Sequence, residues 1–77
     1  MSNQEIIRAA HVLMDRQDWI VSLETTSPKD SDSWSRIGDH AYIATLGGKE
    51  YVVFMTVGRE DENAWFPIEA VREEMGE

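Results

Sequence analysis

Ile6, Ala10 and Leu13 recur along the chain at the spacing of one helical face, with Ile7 and Met14 beside them and Arg8, Asp15 and Arg16 on the opposite arc. That pattern predicts an amphipathic helix over about 3–16. Ser2-Asn3-Gln4-Glu5 stands in front of it as a capping box, a Ser and a Glu three residues apart that satisfy each other's exposed amides. Fourteen or so residues are only marginally helical alone, so the apolar face needs a surface to cover. The period then changes to two. Trp19, Val21 and Leu23 alternate with their neighbours, which predicts a strand over about 18–24. Residues 25–35, with Pro28, several serines and three charges, read as a surface loop that is long for so small a chain. Two β-rich runs follow, about 40–46 and 50–58, joined across Gly47-Gly48. Glycine takes the positive φ of a tight turn without steric cost, so this is a hairpin. After the charged turn at 59–63, a short strand is expected at 64–66. Pro67 then opens a helical segment to about residue 75, with Ile68, Val71 and Met75 on one stripe.

The second hairpin strand is apolar on both sides: Tyr51, Val53, Met55 and Val57 on one, Val52 and Phe54 on the other. The N-terminal helix can cover only one of them. The other face needs a curled sheet, the C-terminal segment or a partner chain. The expected fold is therefore α+β. It has an N-terminal helix packed on a small curled antiparallel sheet of three to five strands and a short C-terminal helical segment, as one domain over 1–77. Trp65-Phe66-Pro67 followed by Val71 resembles the closing strand of SH3-type barrels, with Ala70 where that family usually has a tyrosine. The resemblance implies a small SH3-like barrel as one form of the curled sheet, and no peptide groove.

A chain of 77 residues supports one small core. It has no cysteine, which excludes disulfides and thiolate metal clusters and fits a cytoplasmic protein. No apolar run approaches a membrane span, and the N-terminus lacks a signal-peptide pattern. Fifteen acids against seven Lys and Arg leave a net charge of −8. Direct binding to DNA, RNA or an anionic membrane is not expected, because counterion release needs cationic side chains.

Catalytic constellations are not apparent. The glycine pair sits in a hairpin rather than at a strand-to-helix junction that cradles phosphate. His11 and Asp15 stand one helical turn apart, which reads more plainly as a boundary His near an exposed Asp than as a metal or proton pair. Asp39-His40 resembles half of a dyad, but adjacent strand residues point to opposite faces. No catalytic residue, metal or cofactor is therefore expected, and a small enzyme using His11 or His40 ranks last among the functions.

The placement of charge is more informative. Over 59–77, seven acids (Glu60, Asp61, Glu62, Glu69, Glu73, Glu74, Glu77) face two bases, a net of −5. In a helix, Glu69, Glu73 and Glu77 form one like-charged stripe, each pair costing about 0.2–0.5 kcal/mol. The later glutamates also oppose the helix dipole. Solubility is the plain explanation. The functional one is a surface that meets a basic partner. Size, acidity and lack of catalytic groups resemble in character the small phage proteins that act against bacterial defence, such as anti-CRISPR proteins and DNA mimics. The expected function is thus a small acidic inhibitor or adaptor that blocks a basic, nucleic-acid-binding surface of a larger protein. The alternative is a structural module or homodimer docking through an apolar sheet face, in which Phe54, Trp34 or Ile43 dominates. Trp19 and Trp65 are expected in the core. Trp34 is either a lid or an exposed contact.

Overall fold

The structure, a computed structural model, describes residues 2–16, 27–55 and 63–76. Helix α1 spans Asn3–Asp15, and the Ser2 hydroxyl accepts a hydrogen bond from the Glu5 amide at 3.2 Å, as the capping box requires. Its buried residues are Ile6, Ala9, Ala10 and Leu13, the face set by the apolar spacing. The strand expected at 18–24 lies outside the described residues, as do 56–62.

Part of the stretch read as loop is ordered. Ser27 caps a single 3₁₀ turn at Pro28–Asp30, whose Pro28 is fully buried, and strand β1 follows at Ser33–Arg36. Strands β2 (Ala41–Leu46), β3 (Lys49–Met55) and β4 (Asn63–Pro67) complete an antiparallel sheet in the order β1-β2-β3-β4. Gly47 and Gly48, at φ 61° and 80°, make the two-residue turn, with Leu46 opposite Lys49. Helix α2 covers Ile68–Glu74. Pro67 ends β4 and caps this helix rather than opening it, its φ of −57° suiting both states. Among the described residues the sheet is curled but open, so the SH3-like closure does not form. No helix of the described residues is long and apolar enough to cross a membrane.

Both helices lie on one face of the sheet. There Ile6, Ala10 and Leu13 of α1 and Val71 of α2 pack with Ala41, Val52, Phe54 and Phe66, and Ile43 joins from β2. Phe54 is only 8% exposed. Phe54 and Ile43 thus belong to the helix-covered core, and neither is free to dominate a docking face. The second face carries Tyr42, Ala44, Val53 and Trp65. Trp65 is 1% exposed and stacks edge-on with Tyr51 at 5.4 Å. The centre of this face, at Tyr42, Ala44, Val53 and Trp65, is therefore buried within one chain, while its β1 edge is exposed at Trp34. The C-terminal helix does not cover it, and the 3₁₀ turn packs over its β1–β2 end.

Candidate functional site

The apolar stripe of α2 fixes where its acids point. Val71 is fully buried, with Ile68 and Met75 packed beside it. Successive helical residues turn by about 100°, so Glu69 and Glu73 fall on the outer side and are exposed. Neither forms an ion pair among the described residues. Glu74 swings toward α1, where its side chain is 26% exposed and accepts a hydrogen bond from the Arg16 guanidinium. The sequence groups Glu74 with its two neighbours, but in the fold its charge is offset by an arginine and ties the last turn of α2 to the end of α1. Glu69 also borders a groove of about 550 Å³ shared with Lys49, Glu50 and Arg72, so that end of the surface is of mixed sign. Glu60, Asp61, Glu62 and Glu77 lie outside the described residues.

Trp34 is exposed rather than a lid, at 45% exposure on β1. The Tyr42 ring meets it edge-on at 5.8 Å, and the Lys29 ammonium sits 5.8 Å from its centroid. Arg36 is a residue the sequence reading missed. Its Nε–H donates to the Gly38 carbonyl at 2.9 Å, and its Nη2 lies 3.4 Å from the Asp39 carboxylate. The available signal was the alternation Ser-Trp-Ser-Arg, which puts Trp34 and Arg36 on one face of a strand.

The histidines are apart from these surfaces. His11 is exposed on α1 with its ring centroid 4.7 Å from that of Phe54. Together with His40, Ile7, Met14 and Met55 it lines an apolar cleft of about 370 Å³ between α1 and the sheet. Asp39 is engaged by Arg36 and not by His40. Among the described residues no three His, Cys, Asp or Glu side chains stand together as metal ligands. These surfaces thus offer exposed carboxylates on α2 and an exposed aromatic side chain on β1. No family model, curated protein or solved structure matches this chain.

Proposed function

We propose that this chain is a small acidic, non-enzymatic inhibitor or adaptor of the cytoplasm. It occludes a basic, nucleic-acid-binding surface of a larger protein, in the manner of DNA-mimic and anti-CRISPR proteins, and binds neither nucleic acid nor membrane itself. One observation supports this reading: Glu69 and Glu73 stand exposed, four residues apart, on a helix anchored through Val71, with no ion pair of the described residues offsetting them. Residues four apart on a helix differ by about 6 Å of rise. Neighbouring phosphates of one DNA strand rise about 3.4 Å along the axis and also turn around it, so their separation through space is larger than that rise and comparable to one turn of an α-helix. A rigid pair of carboxylates at that pitch imitates a short stretch of backbone, and the net charge of −8 draws a cationic partner from a distance.

The test is capture of partners from a lysate at low and at high salt, with the native chain and with Glu69→Lys/Glu73→Lys. Glu74 is left intact because a lysine there faces Arg16 and threatens the fold. Basic nucleic-acid-binding proteins are expected on the native chain at low salt only, with at least about a tenfold loss for the double variant, since interfacial charge sets encounter rate and specificity. A double variant that binds as well as the native chain overturns the reading.

A further inference from the structure

The outer edge of β1 has no partner strand among the described residues. The Ile37 amide donates to the Ala41 carbonyl at 2.9 Å, and the register runs on through Arg36 opposite Tyr42 to Ser33 opposite Thr45. In an antiparallel ladder, hydrogen-bonded and non-bonded pairs alternate. Ser35 and Ser33 therefore spend their backbone groups on β2, and Trp34 and Arg36 turn their N–H and C=O outward. No described element pairs with them there. Proteins blunt such edges with proline, lysine or inward charges. The four residues of β1 carry no such device and present an exposed tryptophan, one side of which faces Lys29 of the preceding turn, beside an arginine already held by the Gly38 carbonyl and Asp39.

We propose that a second copy of this chain pairs with this edge, antiparallel and centred on Ser35. That register is self-complementary, as a two-fold interface must be. Trp34 of each copy lies opposite Arg36 of the other, both on the second sheet face, where a guanidinium plane stacks on an indole. The four outward N–H and C=O groups of each strand are all used, in two hydrogen-bonded pairs. Ser35 meets Ser35 as a close non-bonded pair on the other face. Centring the pairing on Arg36 would set like charges opposite each other, which is unfavourable. The two sheets then run on as one of eight described strands. With each copy at −8, the association strengthens as salt rises, opposite in sign to capture of a basic partner.

The chain has no cysteine, so engineered thiols report the register directly. Ser35→Cys is expected to oxidise to a covalent dimer, because the opposed Cβ atoms of a non-hydrogen-bonded pair approach more closely than other cross-strand pairs, near the separation of about 3.5–4.5 Å that a disulfide spans. Ser33→Cys is not, since each Ser33 falls opposite Ile37 and the two Ser33 residues are about 13 Å apart along the strand at about 3.3 Å per residue. Sedimentation of the uncrosslinked chain should show mass rising toward twice that of one chain with concentration, and more so at high salt. Trp34→Lys should return it to a monomer by setting an ammonium against Arg36 of the other copy, and Trp34→Lys/Arg36→Glu should restore the dimer. Circular dichroism shows whether each variant is folded. A single-chain mass at every concentration and salt, or equal crosslinking through positions 33 and 35, overturns the proposal. Either result leaves the acidic-surface reading standing, because that one is decided by Glu69 and Glu73.

Discussion

Gly38 stands in the turn between β1 and β2 with α1 packed against it. A Cβ built there meets the Cδ1 of Ile7 at 2.9 Å and the Cβ of Ala41 at 3.5 Å. Glycine is needed here for close approach, not for an unusual φ. Gly38→Ala is expected to destabilise the fold by about 1 kcal/mol, the low end of an overpacking cost, because the obstructing atom is a side-chain tip able to shift. Ile7→Val removes that tip, so the alanine should cost much less in an Ile7→Val background. Urea unfolding of the four proteins in a double-mutant cycle measures the coupling, and a cost independent of Ile7 would place its cause in the backbone. None of this was legible in the chain, where nothing beside Gly38 shows that a helix packs against it. Trp65 was legible as core because its neighbours Ala64, Phe66 and Pro67 are all apolar. Trp34 stayed open between lid and exposed contact, because the two-residue period of Ser-Trp-Ser-Arg is short and polar and becomes a strand only by pairing with β2.

At the scale of elements, the hairpin gives the opposite lesson about glycine. Cβ atoms at Gly47 and Gly48 meet nothing within 4 Å, yet both residues have positive φ. Substitution there acts through the backbone alone. Gly47→Asn should be nearly neutral, since asparagine tolerates the left-handed region, whereas Gly48→Val should cost about 1–2 kcal/mol. For a domain of this size each kcal/mol is about 4–8 °C in thermal unfolding. Equal losses at the two positions would contradict a turn with both central residues left-handed. The same local rules made α1, β2, β3 and β4 readable, because each is specified by its own periodicity and end signals. β1 is specified by its partner strand: Ile37 and Asp32 donate backbone bonds to Ala41 and Thr45, and the Asp32 carboxylate accepts from the Gly47 amide at 3.1 Å. Such long-range bonds leave little trace in composition. The acidic surface was half legible for a related reason. Sequence places Glu69, Glu73 and Glu74 on one helix, but only the packing of α2 on α1 turns Glu74 toward Arg16.

For the whole molecule, charge and size act together. The radius of gyration is 11.2 Å, so the charges of one chain lie within about one Debye length of each other at about 0.01 M salt, where that length is about 30 Å. A net charge of −8 on so small a body repels itself, and unfolding relieves the repulsion by spreading the chain. The Arg16–Glu74 pair offsets little of it, since partly exposed pairs contribute about 0.2–1 kcal/mol. Raising salt from about 0.01 M to about 1 M shrinks the screening length to about 3 Å and is expected to raise the melting temperature by several degrees. Sodium chloride is the salt to use, because sulfate strengthens apolar burial by itself. Glu69→Gln/Glu73→Gln, which removes two charges without reversing any, should melt higher than the native chain at low salt and converge with it at high salt. If instead the two melting curves stay apart at all salt concentrations, the glutamates act on stability through local contacts. The exposed pair would then belong to the packing of α2 rather than to a field presented outward.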